Sequence, residues 1–170
     1  MTGFLNRLEA LCRGIGCLLA WLTVAMVVVT TIVVVERYWF ETGSIRLQES
    51  VIYMHAAVLL LAAAYTLAAG DHVRVDIFYS RLSPAGKAWV DLIGTLLLLV
   101  PFCLFLIISS WDYVALSWQI REASQEAGGL PFPLPSLMKA FIPLAALLLL
   151  LQGIVIMGRA LRVLRGEDAP

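Results

Sequence analysis

The sequence predicts an all-α integral membrane protein: a bundle of four transmembrane helices with the N and C termini in the cytoplasm. Three observations carry this. Of 170 residues, 61% are hydrophobic and 14% charged, where a soluble domain is roughly a quarter charged. A chain of this size buries only about two-thirds of its unfolded surface in water, so the remaining apolar surface calls for lipid as solvent. Four runs, 14–35, 50–70, 92–111 and 140–158, contain no Asp, Glu, Lys or Arg and hold 22, 21, 20 and 19 residues. At about 1.5 Å per residue each crosses the ~30 Å hydrocarbon core as a helix, the form in which a single segment satisfies its own backbone hydrogen bonds in lipid. Finally, Lys and Arg are unevenly divided between the two sides.

The chain is expected to form a single membrane domain with spans at about 14–35, 50–70, 89–111 and 138–158. In the first span, Arg7 and Arg13 precede the apolar run as in a signal peptide. The run is longer than the ~7–15 residues of a signal core and ends in Glu36-Arg37 rather than at a small-residue cleavage site, so it is read as a retained anchor. Leu5, Leu8, Leu11 and Ile15 have helical spacing, which starts this helix before the membrane. Val27–Val35 would favour a strand in water; hydrophobic length overrules that here. Tyr38, Trp39 and Phe40 follow the first run, and Trp111, Tyr113 and Trp118 follow the third, as interfacial rings do.

The second span is rich in small residues. Ala56, Ala63, Ala64 and Ala68 offer a face on which helices can approach closely. The third is expected to continue past Trp111 toward Ile120, with Pro101 removing a backbone hydrogen bond and kinking it. For the fourth, Ser136 is the expected N-cap, and Pro143 follows a short way in. Between the last two spans, residues 121–136 (REASQEAGGLPFPLPS) read as an irregular extended loop. Cys12, Cys17 and Cys103 lie in or beside apolar runs without CxxC spacing, so they read as small buried hydrophobes.

Orientation follows from the basic residues. Arg7, Arg13, Arg74, Arg81, Lys87, Arg159, Arg162 and Arg165 fall on the side of the termini; Arg37, Arg46, Arg121 and Lys139 fall on the other. Eight against four places the termini in the cytoplasm by the positive-inside bias. Arg159, Arg162 and Arg165 share a helical face that can meet anionic lipid headgroups, although topology alone accounts for them. Zero net charge and a near-neutral pI give no footprint for nucleic acid.

Chemistry-bearing residues are sparse. The middles of the four runs hold no Asp, Glu, Lys or Arg, whereas a chain that moves ions or polar solutes usually shows an ionisable group there. His55 lies one turn into the second span. His72 lies beyond its other end, 17 residues or about 25 Å of helix away, which excludes a haem shared by this pair. No nucleophile elbow, zinc-protease motif or phosphate loop is present. The nearest thing to a catalytic set is Gly70-Asp71-His72-Val73-Arg74-Val75-Asp76. There Arg74 has Asp71 and Asp76 within reach, and Lys87 can pair with Asp91 one turn on. This stretch reads as a structured cytoplasmic elbow, a partner-contact motif of Asp71, His72, Arg74, Val75 and Asp76, in preference to a catalytic site.

From that segment the chain resembles the small membrane subunit of TRAP transporters (tripartite ATP-independent periplasmic transporters), the DctQ-like family. The pattern xxHxxVDxxxxxL is met by His72, Val75, Asp76 and Leu82, and the resemblance extends to Trp111, Trp118 and the PLPSLMKAFIPL start of the fourth span. It implies a non-enzymatic accessory subunit of a sodium-coupled importer of an organic acid or related solute. The implied partners are a large membrane subunit and a periplasmic binding protein. It also implies that the chain has no cofactor of its own, with solute and Na+ sites in the large subunit. Glu41, Arg46, Glu49, Arg121, Glu122 and Glu126 would then face the periplasm, as part of a docking surface or as plain solvated loops. Two other classes stand beside this one: a self-contained homo-oligomeric small transporter, which would want a membrane-embedded carboxylate, and a small membrane enzyme or haem carrier.

Overall fold

The computed structural model describes residues 2–70 and 79–166. Among these, all regular structure is helical, and four helices are long and apolar enough to cross a membrane. We number them α1 (Thr2–Trp39), α2 (Ile45–Ala69), α3 (Pro84–Gln119) and α4 (Leu134–Leu164).

Each helix outruns the charge-free stretch on which it is founded, because its terminal signals lie outside that stretch. The Ser44 hydroxyl accepts the Leu47 N–H at 3.4 Å and starts α2. Ser83 accepts the Gly86 N–H at 3.2 Å and starts α3, with Pro84 at the first position, where its missing N–H costs nothing. Gly70, at φ 79°, closes α2 in the left-handed conformation. Helix α3 continues to Gln119, past Trp111 as its sequence suggested, and ends in a Schellman arrangement. There the Glu122 N–H meets the Ser117 carbonyl at 3.0 Å and the Arg121 N–H meets that of Trp118 at 3.3 Å. The left-handed position, usually Gly, is held by Arg121 at φ 49°.

Two local expectations need correction. Ser136 does not cap α4: the helix already begins at Leu134, and Ser136 is buried inside it. The Pro133 and Pro135 rings fit the first turn, where no N–H is needed, so the start moves upstream of the serine. The disturbance expected around Pro101 takes the form of a π-helical turn over Thr95–Leu99, in which the Val100 N–H reaches back to the Thr95 carbonyl. A proline cannot donate to the carbonyl four residues earlier, and a wider turn just before it is one way to redistribute the freed groups.

Consecutive helices run antiparallel. The first half of α1, the end of α2, the start of α3 and the end of α4 therefore meet at one end of the bundle, called here the terminal end; the connections 40–44 and 120–133 lie at the loop end. Helix α4 is central: a third (33%) of its most apolar window is buried, against 6% for α1. Small residues permit this. Ala64 and Ala68 of α2 pack on Leu148 of α4, with Ile15 and Leu61 around them, and Ala145, Ala146 and Ala160 are buried along α4. Gly16 of α1 lies flat against the Tyr65 ring, so close that a Cβ there would fall 2.2 Å from Cδ2. Gly153 of α4 seats Thr95 and Leu99 of the π-helical turn in the same way, with a Cβ at 3.1–3.2 Å. The hydroxyls of Thr23, Thr30, Thr31 and Ser110 donate to carbonyls four residues back, which satisfies them without a partner in lipid. Cys103 is fully buried, whereas Cys17 is exposed on α1; the sequence reading of a buried thiol fails for Cys17 because α1 sits at the edge of the bundle.

Candidate functional site

The polar chemistry of the described residues gathers at the two ends of the bundle. At the loop end it builds a clasp. Glu49, in the second turn of α2, is half-buried, and its two oxygens take different partners. Oε2 accepts the Leu130 N–H at 2.6 Å and Oε1 accepts the Ser124 hydroxyl. Arg46, one turn earlier, donates from Nε to the Gly128 carbonyl at 3.2 Å. The connection 120–133 also closes on itself, with the Ser124 N–H meeting the Leu130 carbonyl at 2.9 Å. It is thus compact rather than extended, because the glycines let it turn back: Gly128 is left-handed at φ 82°, and a Cβ on Gly129 would fall 2.7 Å from the Glu49 carboxylate.

A second cluster locks α3 to α4 beneath this loop. Ser117 and Ser136 share a buried hydroxyl–hydroxyl bond of 2.8 Å, and Ser136 Oγ also lies 3.1 Å from the Ser117 carbonyl. Lys139 pairs with Glu122 at 2.5 Å and sits 4.1 Å from the centre of the Tyr113 ring. The Lys139 ammonium, helped by the Ser117 hydroxyl, holds the Glu122 carboxyl below the usual carboxylate range. Trp118 meets Phe132 edge to face, centroids 5.5 Å apart.

The six charged residues singled out for this side therefore divide. Arg46, Glu49 and Glu122 are engaged within the chain, while Glu41, Arg121 and Glu126 are exposed. Sequence reasoning missed Ser117 and Ser124, and took Ser136 for a cap and Lys139 for a marker of orientation alone. Their partners lie 17 to 75 residues away, and no local pattern signals such pairings.

At the terminal end, the motif residues Asp71, His72, Arg74, Val75 and Asp76 lie outside the described residues. From Tyr79 onward the contacts are defined. The Tyr79 hydroxyl donates to Asp91 Oδ2 at 2.9 Å, and the Lys87 ammonium lies 5.6 Å from the centre of the same ring. Lys87 and Asp91 thus meet through Tyr79 rather than as the direct pair their spacing suggested. Of the small-residue face on α2, Ala64 and Ala68 are buried, and Ala56 and Ala63 are half-buried. Ala57, not among those singled out, is buried with them. His55 is exposed.

Among the described residues no group of three or more His, Cys, Asp or Glu could hold a metal ion. The arrangement offers four apolar spans, a tied loop at one end and a charged rim at the other.

Residues 26–163 match the family described as "Tripartite ATP-independent periplasmic transporters, DctQ component". The chain belongs to the DctQ family. The match runs from the middle of α1 almost to the end of α4, taking in the clasp, the serine pair and the elbow, and it makes the chain the small membrane subunit of a TRAP transporter. DctQ is a transporter component and not an enzyme family. With four membrane-crossing helices, this DctQ protein is a multi-pass membrane protein. No curated protein and no solved structure matches it.

Proposed function

We propose that this DctQ subunit is a fixed frame, without catalytic activity or a cofactor of its own, for a sodium-coupled transporter that imports an organic acid or a related solute. A large membrane subunit would hold the solute and Na+ sites, and a periplasmic binding protein would deliver the solute. The frame would sit in the inner (cytoplasmic) membrane with both termini in the cytoplasm, as the basic residues at the terminal end favour.

One observation carries the reading: within a chain of this family, ionised side chains stay at the two ends. Carriers place ionisable groups or broken helices at mid-membrane. Here the buried polar side chains among the described residues are all neutral: Thr95, Ser110, Ser117, Ser136 and Gln152. The close seating of Gly16 on Tyr65 and of Gly153 on Thr95 also favours a frame.

Reconstitution tests this. The chain, a large subunit and a binding protein in liposomes are expected to accumulate solute when an inward Na+ gradient is imposed, and neither membrane subunit alone is expected to match them. Uptake by this chain alone would sink the proposal in favour of a self-contained transporter.

A further inference from the structure

The bundle leaves a deep recess. At its terminal end, α2, α3 and α4 line an open cavity of about 1480 Å³. Among the described residues it is lined mostly by Leu, Ala and Gly, together with Tyr79, Lys87, Asp91 and Arg159. At its floor lies Gln152, only 1% exposed, whose Oε1 has no hydrogen-bond partner among the described residues.

A buried amide oxygen without a donor costs roughly 1–3 kcal/mol, and in hydrocarbon no water is at hand to relieve it. An occupant of the recess must bring a donor to that depth. Gln152 lies seven residues, about 10 Å, below Arg159 along α4, beneath the headgroup layer and level with acyl chains, which have no donor. A membrane helix does have one, in a Ser, Thr, Asn or Gln side chain, and such groups pair across helices in lipid. The walls suit a helix too. Gly94 faces open space, with nothing within 4 Å of a Cβ built on it, and Ala63, Ala69, Gly70 and Ala88 keep the neighbouring surface low. The recess spans only half of the bundle, which fits a helix crossing at about 50°, since such helices part after a few turns.

We infer that this recess receives a transmembrane helix of the other membrane subunit, which donates a side-chain hydrogen bond to Gln152. The inference rests on the reading of the chain as one subunit of a larger transporter and names where that contact falls.

The test uses the chain co-expressed with the large membrane subunit. Gln152→Leu removes an unsatisfied buried group, so the isolated subunit should unfold at a higher temperature in detergent. The same variant should recover roughly three- to fifteen-fold less complex, the range of one interhelical hydrogen bond in lipid. Gly94→Leu, placed in open space, should leave the isolated subunit unchanged and lower complex recovery at least as far. A photo-crosslinking residue in place of Leu98, which is 74% exposed beside the recess, should trap the large subunit. Unchanged complex recovery in both variants, or crosslinks from position 98 only to lipid or to a second copy, would overturn the inference. If the large subunit is instead trapped from position 28 on α1, the frame reading stands and the recess assignment falls. If wild-type subunits do not associate at all, both fall.

Discussion

Glu49 is the residue on which the loop end depends most. Its carboxylate accepts from a backbone N–H and a hydroxyl of a connection far along the chain, and hydrogen bonds to a charged group contribute about 1.5–3 kcal/mol. Glu49→Ala should therefore lower the detergent unfolding free energy by about that amount and open residues 121–133 to proteases; intact resistance in the variant would show the clasp to be decorative. Arg121 is a cost within the same loop. A non-glycine residue in the left-handed region is disfavoured by roughly 1–2 kcal/mol, so Arg121→Gly should raise thermal stability, read by the same unfolding curve. Glu122 contributes to the acid limb. Its carboxyl titrates lower in the folded chain than in the unfolded one because Lys139 holds it ionised. The resulting stabilisation is complete above the ordinary carboxylate range and is lost as pH falls through the lowered value. Glu122→Gln should flatten stability against pH in that window. None of these roles is legible in the sequence: topology places the residues on one side, but engagement within the chain against exposure depends on distant partners.

The helices themselves are far more legible. Twenty apolar residues in succession admit one structure in lipid, so hydropathy alone finds all four, and Leu5, Leu8, Leu11 and Ile15 correctly extend α1. Boundaries and interruptions are harder. Ser136 resembles a cap, yet the neighbouring prolines allow an earlier start, and Ser136 turns inward to Ser117. The π-helical turn cannot be read from Pro101 alone, since Pro143 sits within α4 with no comparable turn. Contact between helices is legible only in kind. Alanine richness marks α2 as a packing helix, but choosing Ala57 over Ala56 requires the crossing geometry. That geometry makes a sharp prediction at Gly16. Gly16→Ala would drive a methyl into the Tyr65 ring, and overpacking of this sort costs typically about 1–3 kcal/mol. The loss should appear as a lower unfolding temperature and be largely recovered in the Gly16→Ala/Tyr65→Leu double variant. Additive losses would mean the ring is not what the methyl meets.

In the molecule as a whole, charge is confined to two rims separated by a hydrocarbon-thick band, and the rims differ: one is cross-linked by its own side chains, the other holds a recess. The sidedness proposed for them is open to direct test. A single cysteine in place of Arg81, in a chain freed of its native cysteines, should be blocked from membrane-impermeant reagent in intact cells, and one in place of Glu126 should react; the reverse pattern would invert the orientation. The clasp also has a consequence for how the molecule is made. Glu49 is 75 and 81 residues ahead of the groups it holds. At about 5–20 residues per second, it waits roughly 4–16 s for them while α3 and α4 are being synthesised. Closure of the loop end is therefore a late event in biogenesis, and a chain stalled or truncated before residue 130 would expose an unclaimed carboxylate by which quality control could tell it from a finished one.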